Sequence, residues 1–251
     1  MGTLDPLASG VLPVAIGKST RLFDYLLDKK KVYVAHFTFG YQTDTLDLEG
    51  KVEKTCNYIP TIERVKEESQ KLVGEIMQIP PVFSAKCVNG KRSYQLARKG
   101  EKVDLPPKKV TINSIEVLEQ VSNAEFKIKI ECKGGTYIRS IARDLGELCS
   151  SCATMTALER VESGVFTVEN SVNAEDFIKA EDKASFLIAP QDVVDFPIIT
   201  LNAKQTERLF NGLYDIYDYS NGTYKVFCPD GFYGVGEMKE GKLKVKAYLR
   251  T

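Results

Sequence analysis

Polar and apolar residues alternate from residue 31 to 39, so Tyr33, Ala35, Phe37 and Phe39 would share one face of a strand and Val32, Val34, His36 and Thr38 the other. The same two-residue period returns over 124–133, where Phe126, Ile128, Ile130 and Cys132 alternate with Glu125, Lys127, Lys129 and Glu131. That is the pattern of an antiparallel sheet with one covered face, and 110–119 supplies a neighbouring strand. After Gly134 and Gly135 the period lengthens. Ile138, Ile141, Ala142, Leu145 and Leu148 form the buried stripe of a helix. Arg139 and Arg143, four apart, project together from another face of it.

Other stretches are read the same way. Residues 11–16 form a short apolar run that predicts a buried strand. A helix enters at 17–20, with Leu22, Phe23, Leu26 and Leu27 at helical spacing. Thr61 caps a helix that runs to about residue 73, where Gly74 stops it. Prolines hold 78–85 extended, 91–99 reads as a short basic helix, 158–166 as strand and 174–180 as a short helix. Past residue 190 the pattern changes to one helix, 203–210, and three strands, 223–228, 232–238 and 243–249. The expected class is α+β: a mixed, mainly antiparallel sheet with flanking helices over 1–190, and a small β-rich module over 195–251.

Composition adds little to this picture. The 251 residues are 43% hydrophobic and 27% charged, as in ordinary soluble domains. No apolar run reaches the ~18 residues that span a bilayer, and the beginning of the chain lacks the shape of a secretory signal. No membrane contact, a cytoplasmic location and a monomer are expected. Six dispersed cysteines in a chain with its own core predict reduced thiols. Cys149 and Cys152 have C-x-x-C spacing, but no second pair accompanies them and the only histidine, His36, is remote. They read as small residues ending a helix, with no metal site. The acids Asp44, Asp47 and Glu49 do not match a calcium loop and read as solvated turns.

Charge is informative only locally. Lys+Arg and Asp+Glu both number 34, which argues mildly against a nucleic-acid binder. Between 86 and 109, however, Lys86, Lys91, Arg92, Arg98, Lys99, Lys102, Lys108 and Lys109 face only Glu101 and Asp104. Such a block either meets phosphates or is a solvated surface.

Asp5 is the most constrained candidate for chemistry. Pro6 pushes it toward an extended conformation, although an Asp-Pro turn with a solvated carboxylate is the ordinary outcome. Asp5, Tyr33 on its strand and Arg139 at its helix start could converge. A carboxylate beside a guanidinium stays ionised, which suits a nucleophile or base. Nothing in the pattern itself brings the three together.

The motifs do so by resemblance. The segment from Gly2 to Pro13, GTLDPLASGVLP, is similar to the catalytic motif of the TruB-type tRNA pseudouridine synthases. Lys31-Val32-Tyr33 resembles that family's K-x-Y strand, and Gly40 to Gly50 its G-x-x-T-D-T-x-D-x-x-G segment. Gln78-Ile79-Pro80-Pro81 with Ser84, Ala85, Gly90, Tyr94, Ala97 and Arg98, and Gly135 to Ser140 with Asp144-Leu145-Gly146, resemble two more. The motifs follow in order to about Phe166, and the last module resembles the family's C-terminal, PUA-like RNA-binding module.

The resemblance implies an isomerase that converts uridine, usually position 55 in the T-loop of tRNA, to pseudouridine without a cofactor. It implies Asp5 as nucleophile, Tyr33 stacked on the flipped base and placed to take a proton, and Arg139 pairing with Asp5. Tyr137 and Leu158 would shape the pocket. Lys31, Lys86, Lys91, Arg92 and Arg98 would meet RNA, the last four on a thumb-like insertion over about 80–109.

Three departures accompany it. The family carries about forty residues before the Asp motif, including a G-H-x-G segment; here Met1 precedes Gly2, so a late start or a shortened protein is expected. The lysine of S-A-x-K stands one place early, at Lys86. The family's L-R-R reads Leu158-Glu159-Arg160. The rival readings are a guide-RNA-dependent relative and a non-catalytic tRNA-binding or RNA-folding protein.

Overall fold

The alternating segments pair as their periods require. A computed structural model describes residues 2–26, 29–84, 86–88, 90–101, 103–213 and 215–249. Leu27, Ala85 and Lys102 lie outside the described residues. The chain forms two compact units, Gly2–Leu12 with Asp28–Asn170, and Pro13–Leu27 with Ser171–Thr251.

In the larger unit the elements are β1 (Ala8–Gly10), β2 (Lys31–Phe39), α1 (Ile62–Gln70), β3 (Gly74–Gln78), β4 (Lys108–Gln120), β5 (Glu125–Cys132), α2 (Ile138–Leu148) and β6 (Ala153–Ser163). They build a sheet of order β1–β6–β2–β5–β4–β3, with Phe166–Thr167 added to β6. Every pair is antiparallel except β1 with β6. The predicted faces are the real ones: Tyr33, Ala35, Phe37 and Phe39 of β2 and Phe126, Ile128, Ile130 and Cys132 of β5 are buried. They share one core with Val65 of α1 and with Ile138, Ile141, Ala142 and Leu145 of α2. Thr61 caps α1 as expected, its Oγ1 accepting from the Arg64 N–H at 3.4 Å. Glu68 of α1 is 1% exposed because Arg64 and Lys71 close over its carboxylate.

In the smaller unit, β7 (Ile198–Thr200), α3 (Ala203–Phe210), β8 (Gly222–Cys228), β9 (Gly231–Lys239) and β10 (Lys242–Tyr248) follow in order. The sheet order is β7–β8–β9–β10, one strand more than predicted. Ile199, Tyr224, Val226, Met238 and Leu243 fill its core. Asn202 and Gln205 form a reciprocal capping box on α3. Arg21 joins this unit: it donates to the Tyr248 carbonyl at 2.7 Å and lies 4.4 Å over that ring. No helix among the described residues is long and apolar enough to cross a membrane.

Several expectations fail, each for a local reason. Residues 11–16 are not a strand; Leu12, Val14 and Ile16 are exposed. The real strand lies earlier, at Ala8–Gly10. Its ladder ends where the Val11 N–H donates to the Arg160 carbonyl, since Pro13 has no N–H to continue. The predicted helix after residue 17 is a 3-10 helix over Gly17–Leu22 followed by one α-turn, Phe23–Leu26. The basic helix covers only Ser93–Arg98, because Lys91–Arg92 pairs back on Cys87–Val88.

The reduced-thiol expectation is overturned as well. Cys56 and Cys152 form a disulfide with Cα atoms 5.9 Å apart. Gly40, at the end of β2, brings them together: its N–H donates to the Cys152 carbonyl and its carbonyl accepts from the Cys56 N–H, both at 2.8 Å. Cys149 stays free and buried at the C-terminus of α2, and burial pushes its thiol up to about 11. The bridge closes a long loop, 96 residues apart in sequence. Cys56→Ser should therefore cost about 2–4 kcal/mol of stability, read by urea unfolding. Alkylation of all six cysteines in unreduced, denatured protein would show that the bridge is not there.

Candidate active site

The site grows from the N-terminal end of α2. Tyr137 is the N-cap of this helix and has no side-chain cap of its own. Gln78, 1% exposed at the end of β3, serves in its place. It accepts from the Tyr137 N–H at 2.9 Å and donates to the Tyr137 carbonyl at 3.2 Å. Ser140 Oγ and Arg143 Nη2 both donate to the Ile79 carbonyl, at 2.9 and 3.0 Å. The extended, proline-fixed segment after β3 is thus tied along the first turns of α2. Burial raises the carboxyl of Asp144 and the Arg143 guanidinium beside it opposes that.

With the helix start fixed, Arg139 extends into the site with its side chain 8% exposed. Its five N–H groups meet five acceptors. Nε and Nη2 hold the two carboxylate oxygens of Asp5 at 2.8 and 3.1 Å. Nη1 donates to Asp47 Oδ2 at 3.1 Å and to the Thr45 carbonyl at 3.2 Å. Nη2 also donates to the Phe83 carbonyl at 3.2 Å. A guanidinium has no more donors to give, and the fork grips Asp5 bidentately.

The two carboxylates are not equivalent. Asp47 is 4% exposed, and its Oδ1 also accepts from Thr45 Oγ1 and from the Glu49 N–H. Asp5 is 35% exposed on a turn closed by the Ala8 N–H donating to the Asp5 carbonyl. Asp47 neutralises and anchors the arginine; Asp5 keeps an open side on which to react. The solvated-turn reading of the acidic stretch is therefore corrected for Asp47. Its burial rests on Arg139, 92 residues away, and only the T-D-T-x-D pattern points to it in sequence.

The other candidates fall into place around this pair. Tyr33 is 8% exposed on β2, between Ile130 of β5 and Arg160 of β6. Burial pushes its phenol up, Arg160 pulls it down, and the charge of Asp5 also reaches it. Leu158 is buried on β6 opposite Ala8 of β1 and Ala35 of β2. Tyr137 is half-buried, and Lys31 is 9% exposed at the start of β2. Lys86 is half-buried, whereas Lys91, Arg92 and Arg98 are exposed on the hairpin and helix that follow Phe83. Arg98 lies 5.6 Å over the Tyr94 ring. Among the described residues, no group of three or more His, Cys, Asp or Glu could hold a metal ion.

Gly10 sets the approach of the Asp5 loop to the sheet. Its φ is +99°, and a Cβ there would stand 2.3 Å from the Arg160 carbonyl oxygen. Gly10→Ala should cost at least about 1–3 kcal/mol from the backbone conformation alone. It should also slow turnover by shifting β1; urea unfolding and a rate assay together check this.

Residues 1–138 match the family model described as "TruB family pseudouridylate synthase (N terminal domain)". The chain belongs to this family. It is accordingly a pseudouridine synthase, an isomerase. Curated relatives agree across both units. The chain is 40% identical to the tRNA pseudouridine synthase B of Clostridium perfringens strain 13, over 99% of this chain and 87% of that protein. It is 37% identical to that of Aquifex aeolicus strain VF5, over 99% and 88%. Solved structures share the fold. An H/ACA RNP bound to a substrate RNA containing 2'-deoxyuridine includes a chain with TM-score 0.71 and 20% identity, covering 100% of this chain and 75% of that one. A Cbf5-Nop10-Gar1 complex gives TM-score 0.68 and 22% identity, covering 97% and 74%.

Proposed function

We propose that this synthase converts the T-loop uridine of tRNA, position 55, to pseudouridine, with Asp5 as nucleophile. The observation that carries this is the bidentate Arg139–Asp5 pair, in which one carboxylate is oriented and left half-open while its neighbour is fully engaged. A base in a stacked loop must be flipped out before its glycosidic bond is reachable. Tyr33 and Leu158 offer that base a floor, and an aromatic face returns about 1–3 kcal/mol of lost stacking. Asp5 attacks the target nucleotide and the C1′–N1 bond breaks. The uracil turns, C5 bonds to C1′ as the bond made by Asp5 breaks and frees its carboxylate, C5 loses its proton and N1 gains one. The step is redox-neutral, so it needs no cofactor. Burial keeps the Tyr33 phenol protonated at neutral pH, so a proton that it takes from C5 requires one passed onward.

Lys86, Lys91, Arg92 and Arg98 on a thumb-like insertion over 80–109, together with Lys31, would meet the phosphates of the T-stem-loop. Residues 195–251 would add a second RNA contact. The protein would act as a cytoplasmic monomer. The test uses tRNA transcripts carrying tritium at uridine C5, with modified positions mapped afterward. Release confined to the T-loop uridine, and lost when that uridine is replaced by cytidine, supports the reading. Release at another position, or none, overturns it.

A further inference from the structure

Among the described residues, Arg160 is the largest fully buried side chain, at 1% exposure. A buried guanidinium is costly unless its donors are met. Here the partners are uncharged. Nε donates to the Val11 carbonyl at 2.7 Å, and Nη1 and Nη2 both donate to the Gly2 carbonyl at 3.2 Å. None of these direct partners is a carboxylate. Tyr33 is the register partner of Arg160 on the neighbouring strand β2, and the positive charge of Arg160 pulls that phenol down.

The partners share a feature. Gly2 and Val11 bracket the loop that carries Asp5, and Tyr33 is the aromatic residue assigned to the flipped base. Arg160 sits on β6 between them, opposite Gly10 on β1 and opposite Tyr33 on β2. Its backbone carbonyl also accepts from the Val11 N–H at 2.8 Å. Arg139 grips Asp5 from the α2 side; Arg160 grips the loop from beneath, through its two ends. Buried under that loop, it is shielded from a substrate phosphate.

We propose that Arg160 is a positioning residue of this active site: its guanidinium ties both ends of the Asp5 loop to β6 directly beside Tyr33 and so sets the spacing between the nucleophile and the aromatic face. The proposal rests on the roles given above to Asp5 and Tyr33. Only a planar fork can serve these partners together; a lysine ammonium keeps the charge but not the geometry. A misplacement of about 1 Å in such a site costs on the order of a hundredfold in rate.

Arg160→Lys and Arg160→Gln, each alone and combined with Tyr33→Phe, test this. Single-turnover rate, tRNA affinity and thermal melting are measured. The ¹³Cζ tyrosine resonance of Tyr33, identified by its loss in Tyr33→Phe, is followed against pH without RNA. Arg160→Lys is expected to lower the rate about a hundredfold with tRNA affinity within about threefold, and to move the Tyr33 titration to higher pH. In the Tyr33→Phe background the same substitution should cost clearly less, because part of its effect passes through the phenol. A rate within threefold of the parent, a rate loss matched by lost affinity, equal costs in both backgrounds, or an unmoved resonance overturns the proposal. If Arg160→Gln does not fold, Arg160→Lys decides; if neither folds, Arg160 is a stability residue and the proposal fails. If the unaltered chain releases no tritium, the function is wrong, yet the resonance still reports whether Arg160 acts on Tyr33.

Discussion

Asp5→Asn is expected to lower the single-turnover rate of pseudouridine formation by about 10⁴-fold or more, as loss of a nucleophile does elsewhere, with tRNA affinity changed only a few-fold. Asn is isosteric and can still accept one hydrogen bond from Arg139, but its amide nitrogen then meets a donor. The fold should tolerate this. Asp5 is 35% exposed, and Arg139 keeps Asp47, Thr45 and Phe83 as partners. Asp5→Glu separates charge from position. It restores the carboxylate on a longer arm, which cannot take both Arg139 donors from the same turn, and it should remain close to Asn in rate. Tritium release and filter binding on the same preparations give both numbers. Residual turnover within tenfold of the parent for Asp5→Asn would remove Asp5 from the chemistry, whatever its geometry.

The part of the site that was legible in sequence is the part that local pattern controls. The two-residue alternation around Tyr33 and along β5 determines which side chains face the core, because a strand has only two faces. The stripe from Ile138 to Leu145 likewise commits α2 to the sheet and leaves Arg139 at its first turn, pointing elsewhere. Local pattern says nothing about Asp47. In a run of Thr, Asp and Glu it looks solvated, and only a guanidinium from a helix 92 residues away makes its burial tolerable. Arg160 hides in the same way. On paper it is one more charged residue in a strand, whereas its hydrogen-bond partners come from positions 2 and 11 and its strand neighbour is Tyr33. Cys56 and Cys152 meet because Gly40 ends β2 beside both. The residues that join distant elements carry little signal in their own neighbourhood, and the ordered motifs stood in for it.

Arg139→Met should cost about 3–5 kcal/mol of stability, the range for breaking a buried ion pair by removing one partner. The loss has two parts. The carbonyls of Thr45 and Phe83 lose their donors, and Asp47, 4% exposed, is left as an uncompensated charge in the interior. The second part can be isolated. Arg139→Met with Asp47→Asn removes both charges together, and replacing both members of a buried pair costs far less than removing one. Asn keeps the oxygen that accepts from Thr45 and Glu49. Urea unfolding of the parent, both single variants and the double variant should therefore show most of the lost stability returning in the double variant. Turnover should not return, because Asp5 still has nothing to orient it. A double variant no more stable than Arg139→Met alone would mean that the guanidinium is not offsetting the charge of Asp47. Recovery of stability without activity would separate two functions of one side chain, balancing a buried carboxylate and aiming an open one.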